Sequence, residues 1–141
     1  ISGQLRLSMW QETFEMLKNH PLRGGGLANY QSAILPYHQL QWAEIYLYPH
    51  NIFLNFWSET GLFGLISFCT LILFFFTRGT ILWLKNKTPI VKTALISMVI
   101  LLVHGLVDVP YFKNDLALLF WLIIAILVLN EKYAVTHHRS S

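Results

Sequence analysis

Tyr48-Pro-His-Asn-Ile-Phe-Leu-Asn-Phe-Trp-Ser-Glu-Thr-Gly-Leu-Phe-Gly64 runs without a break into an apolar segment that begins near Leu62. The stretch sets His50, two Asn and Glu59 directly before a segment suited to a bilayer, where polar groups are costly unless they serve a site. Asn51, Asn55 and Glu59 recur every four residues and so share one face of a short helix over 50–59. Pro49 suits the start of that helix, and Gly61 allows a bend at its end. His50 stands at the beginning, on the side of Leu54 and Trp57. An imidazole there can accept a proton near neutral pH, donate a hydrogen bond or carry charge against a phosphate; it can equally cap a helix or anchor it at an interface. Asn51 and Glu59 have a corresponding plain reading as helix-end hydrogen-bonding groups.

Outward from this stretch, lipid is the expected solvent. Hydrophobic residues make up 55% of the chain and charged residues 12%, against about 45–50% and about 25% in soluble domains. The net charge of +3 comes from ten scattered Lys and Arg, with no basic stripe interleaved with stacking aromatics, so nucleic acid is not an expected partner. Cys69, the single cysteine, lies in an apolar run as a small packing or lipid-facing residue. Three segments have the composition of a span, which takes about 20 apolar residues in helical form: 62–84, 91–109 and 116–133. The first is interrupted at Thr77-Arg78-Gly79-Thr80, where Arg78 is near enough to the end to snorkel. The third holds fourteen consecutive apolar residues from Leu116 to Leu129, with Asn114 and Asp115 suited to its helix start. The expected fold class is all-α: a polytopic membrane protein fragment with three transmembrane helices and an N-terminal exterior helical loop region.

Orientation follows from the loops. Arg78, Lys85, Lys87 and Lys92 gather between the first two segments, whereas the turn around Pro110 carries only Lys113 beside Asp108 and Asp115. The positive-inside rule makes the Lys-rich loop cytoplasmic. Residues 1–61 and the turn around Pro110 are then exterior, and the tail 134–141, with Arg139, is cytoplasmic. In the exterior region Leu5, Met9, Trp10, Phe14 and Leu17 recur at helical spacing, predicting an amphipathic helix over 5–19 that ends at His20-Pro21 and the Gly24-Gly25-Gly26 turn. A second short helix is expected over 27–35, stopped by Pro36, and 37–48 reads as irregular.

Arg6 shares a face of the first helix with Trp10 and Phe14. A planar, permanently charged guanidinium is the side chain best suited to grip phosphate oxygens, and its plain alternative is a solvated or snorkelling Arg. Arg23, beside the glycine run, could join a nest of backbone N–H groups as an anion site, although three glycines without a following Lys-Ser/Thr make no P-loop. The six His show no metal-ligand spacing. His104 and Asp108, four apart, read as a hydrogen-bonded pair or a proton relay.

Arg6-x-x-x-Trp10, His20-Pro-Leu-Arg23-Gly-Gly-Gly26 with Tyr30, and Tyr48-Pro-His50-Asn51 with Leu54, Glu59, Gly61 and Gly64 together resemble the C-terminal part of the bacterial O-antigen ligase and O-antigen polymerase superfamily. The resemblance is strong over residues 2–77, and His104, Asp108 and Pro110 are compatible with it. It implies an inner-membrane, metal-independent and cofactor-free glycosyltransferase of surface polysaccharide (lipopolysaccharide) assembly. Such an enzyme inverts the anomeric carbon as it moves a glycan from undecaprenyl diphosphate to an acceptor on the periplasmic side. The acceptor hydroxyl would be on lipid A core (a ligase), another lipid-linked glycan (a polymerase) or a protein (an O-oligosaccharyltransferase). It implies a catalytic His50, a diphosphate-binding Arg6 aided by Arg23, and supporting roles for Asn51, Glu59 and Trp10. Because members of the superfamily have many more spans, the chain is expected to be a C-terminal part, inactive alone. The reading from another class is a noncatalytic membrane subunit in which Arg6 and His50 anchor an exterior helix.

Overall fold

The computed structural model describes residues 2–39, 42, 44–109 and 114–138. The expected turn around Pro110 and Lys113 and the end of the tail with Arg139 lie outside the described residues. The fold is all-α, with helices α1 (Ser2–Asn19), α2 (Tyr30–Ile34), α3 (Ile52–Asn86), α4 (Pro89–Gly105) and α5 (Asn114–His138) and a 3-10 turn over Leu35–Tyr37. Two helices, α3 and α5, are long and apolar enough to cross a membrane, and α4 is a shorter apolar helix. The chain forms two compact units, one of residues 1–69 with 105–109, the other of residues 70–104 with 110–141.

In the first unit, α1 buries Met16 and Leu17 against Tyr30, Ile34 and Leu54, with Trp10 and Trp57 packed on that cluster. The buried face of α1 differs from the apolar face expected. Phe14 is exposed at 46% and touches only the edge of Trp57 among the described aromatic contacts, whereas Glu12 and Thr13 are buried. Apolar spacing misplaced the face because these two polar residues have partners that hydropathy does not register. Thr13 Oγ1 is 2.7 Å from the Tyr30 hydroxyl. Glu12 accepts the Gln39 N–H at 3.0 Å and lies 3.0 Å from His38 Nδ1. Buried polar groups persist when they are paired in this way.

The second short helix is also displaced, to Tyr30–Ile34, and Pro36 does not end it but sits in the first turn of the 3-10 segment that continues it. Proline is compatible with that position because its fixed φ is already helical. The helix expected to start at His50 starts instead at Ile52. Asn51 caps it, its Oδ1 accepting the N–H groups of Phe53 and Leu54 at 3.0 and 3.1 Å, which satisfies donors that the first turn leaves orphaned. His50 is therefore outside the helix, with a positive φ of 48°.

A kink at Gly61 divides α3 (φ 72°, ψ −175°), and two backbone exchanges hold it open. The Ser58 carbonyl, which an unbroken helix would offer to Leu62, accepts instead from Gly25 and Gly26 at 2.7 and 3.2 Å, while the Leu62 N–H donates to the Leu22 carbonyl at 3.3 Å. The approach is so close that a Cβ on Gly24 would lie 2.4 Å from the Trp57 carbonyl oxygen and one on Gly61 2.1 Å from that of Leu22. Only glycine fits at either place.

In the second unit, Gly79 of α3 stands where a Cβ would meet Leu95 of α4 at 2.7 Å and Leu127 of α5 at 3.4 Å, the small-residue contact by which apolar helices approach closely. Arg78 forms an ion pair with Glu131 of α5, so the cation that interrupts the apolar run has a carboxylate partner. The helix expected over 91–109 ends at Gly105, leaving Asp108 and Val109 in the following turn of the first unit.

Candidate functional site

The site lies in the first unit, where the N-terminal part of α1 meets the segment before α3. Arg6, Leu5 and Met9 of α1 line a cavity of about 80 Å³ together with Tyr46 and His50. Two of the residues singled out in the sequence, Arg6 and His50, thus line one cavity although they stand 44 positions apart in the chain. Trp10 ties the two sides together, its Nε1–H donating to the Pro49 carbonyl at 2.8 Å. One helical turn after Arg6, this bond pins the residue that precedes His50 onto α1.

His50 is held from three sides. Its ring packs edge-on against Tyr46 and Tyr48, with centroids 5.3 and 5.0 Å away. Its Nδ1 lies 3.5 Å from Asp108 Oδ1, and both side chains are largely covered, at 23% and 18% exposure. At that separation the pair attracts electrostatically without a short hydrogen bond. A positive φ is uncommon for a residue with a Cβ, though His is among the types that tolerate it; here it accompanies a ring turned toward α1 and the 105–109 turn. That turn is fastened by Asn51, whose Nδ2 donates to the Leu106 carbonyl at 3.1 Å, and by Ile52, which lies where a Cβ on Gly105 would be 2.8 Å from its methyl. Asn51 thus caps α3 and carries the turn that presents Asp108.

Sequence spacing related Asp108 to His104; the fold also sets it beside His50. No local signal could have found this second partner, because His50 and Asp108 stand at opposite ends of the α3–α4 stretch of the chain. Glu59, 9% exposed, accepts the Ala28 N–H at 2.5 Å and so binds the glycine-rich turn to α3 rather than facing the cavity. Arg23 is not among the cavity-lining residues. It follows α1, whose rise between residues 6 and 19 is about 20 Å. The expected nest beside it is not formed, since the N–H groups of Gly24, Gly25 and Gly26 donate to the carbonyls of His20 and Ser58. Arg6 is half-buried and makes no ion pair among the described residues.

Chemically, the cavity offers a fixed cation and a carboxylate-backed imidazole on an apolar and aromatic rim. Its volume is far below the about 300–1,000 Å³ of pockets that enclose drug-sized ligands, so it suits a phosphate-sized group and not a whole glycan. Among the described residues no three His, Cys, Asp or Glu side chains gather as a metal-binding group.

The class these features define is an all-α chain with two helices long and apolar enough to cross a membrane and an Arg-His cavity in its helical N-terminal region. A family model described as O-antigen ligase matches residues 1–69, about half of the chain, and the match ends at Cys69, as does the N-terminal stretch of the first compact unit. The link is one of superfamily, over the unit that holds the cavity. Neither the curated proteins nor the solved structures contain a match to the chain.

Proposed function

We propose that this chain is the donor-handling part of a membrane glycosyltransferase of the O-antigen ligase type, which moves a glycan from an undecaprenyl-diphosphate carrier to an acceptor hydroxyl. In this reading α3, α4 and α5 all cross the inner membrane and residues 1–61 lie in the periplasm. The observation that carries it is the convergence of Arg6 and His50 on one cavity, inside the segment with the O-antigen ligase match.

The residues present offer a group for each of two tasks the reaction sets. Diphosphate is a good leaving group whose developing charge needs a nearby cation, and Arg6, which lines the cavity and is unpaired among the described residues, provides one. The acceptor oxygen attacks the anomeric carbon while its proton passes to His50, and the bond from that carbon to the diphosphate oxygen breaks, inverting the centre. Asp108, 3.5 Å from Nδ1, orients the ring, and in this reading Nε2 takes the acceptor proton. Trp10, Asn51 and the edge-on tyrosines hold the ring and act as positioning residues.

The test is glycan transfer measured with a defined lipid-linked donor in membranes carrying the protein. Arg6→Ala and His50→Ala should each reduce transfer by about 10² or more with membrane insertion unchanged, and Asp108→Asn should cut it less. Near-normal transfer by either alanine variant would remove that residue from the mechanism. Offering lipid A core, a second lipid-linked glycan or a protein hydroxyl as acceptor separates ligase, polymerase and oligosaccharyltransferase activity.

A further inference from the structure

We infer that the turn after α1, carrying Leu22 and Arg23, is a lipid-contacting wedge seated at the membrane interface, with Leu22 against the acyl chains and the Arg23 guanidinium on a phospholipid phosphate. The argument starts from register. Beyond the Gly61 kink, α3 needs about 20 residues, or about 30 Å of rise, to cross a hydrocarbon core, which sets Leu62 at the edge of that core. The backbone N–H of Leu62 is bonded to the Leu22 carbonyl, so Leu22 lies at the same depth. Its side chain is 58% exposed, as Phe63 and Ile66 of α3 are at 72% and 51%. An isolated exposed leucine needs no explanation; one fastened to the first residue of a span prolongs the span's own lipid-facing surface.

Two further features suit this depth. Trp57, one turn before the kink, donates its Nε1–H to the Pro21 carbonyl at 2.7 Å, and an indole is at home where hydrocarbon meets head groups. Arg23 is exposed, has no ion pair among the described residues and does not line the cavity. Next to a leucine at the hydrocarbon edge, its guanidinium reaches the phosphate layer, where a planar fork binds phosphate oxygens in pairs. The backbone exchange at Gly61 and the Trp57 bond fix the wedge to α3, so it cannot retract from the interface without breaking four hydrogen bonds.

The inference rests on α3 being a span, and the experiment separates the two. In a Cys69→Ser background the full chain is reconstituted in phosphatidylethanolamine–phosphatidylglycerol nanodiscs and spin-labelled at Leu22→Cys, at Leu73→Cys within α3, or at Glu44→Cys as the water-facing reference. Collision with oxygen relative to a water-soluble nickel complex should be several-fold higher at 22 than at 44 and approach the value at 73. Arg23→Glu should shift the label at 22 toward water. A lipid-exposed label at 73 with a water-exposed one at 22 overturns the wedge; a water-exposed label at 73 overturns the span itself. A label at 22 unmoved by Arg23→Glu would remove the phosphate contact.

Discussion

Tyr30 shows how a single buried group ties the first unit to its surroundings. Its hydroxyl is pushed up from 10.0 to about 12, first by burial and then by the nearby Glu12 carboxylate, against the opposing effect of its hydrogen bond with Thr13. The neutral form is therefore favoured by folding. Below pH 10 both folded and unfolded chains keep the proton; above it the unfolded chain loses it first, so stability falls as pH rises from about 10 to 12. The loss should reach about 2–3 kcal/mol in alkaline denaturation followed by helix content, and Tyr30→Phe should remove most of this slope. His50 belongs to the same scale. The His-Asn pair was legible in the sequence because polar residues before a span are conspicuous, but its carboxylate was not, since Asp108 reaches it through a turn that follows another helix.

At the scale of elements, the kink in α3 illustrates how a break becomes a joint. A glycine at 61 and a glycine run at 24–26 are ordinary turn signals in the sequence, and both were read as such. That they are two halves of one junction follows only from the exchanged bonds of Ser58 and Leu62. Gly24→Ala and Gly61→Ala should each destabilise the first unit by about 2–4 kcal/mol, since a Cβ at positive φ must also displace a carbonyl. Hydrogen exchange at Gly25, Gly26 and Leu62 should accelerate in both variants, whereas Gly3→Ala, which meets nothing within 4 Å, should leave it unchanged. The glycines that looked like an anion nest are thus engaged in a backbone splice, and their N–H groups are already used.

For the whole molecule, the second unit is built on span-like helices that meet through Gly79 and the Arg78–Glu131 pair. Removing one partner leaves the other, partly exposed charge without its counterion. Glu131→Gln should lower the detergent melting midpoint by several degrees, and the exchange Arg78→Glu with Glu131→Arg should restore most of it; unchanged melting in Glu131→Gln would show that the pair contributes nothing. By itself the sequence determined the all-α class and the two long apolar helices, because hydropathy sums over many residues and no single contact decides it. It also marked Gly61 as a bend and Arg6 and His50 as candidate groups, because their chemistry is local to each side chain. Only the tertiary structure decided which face of α1 is buried, that Asp108 stands beside His50, and that Arg6 and not Arg23 joins it at the cavity. Those outcomes depend on which carbonyls, carboxylates and rings meet across long loops, and neither spacing nor composition encodes such meetings.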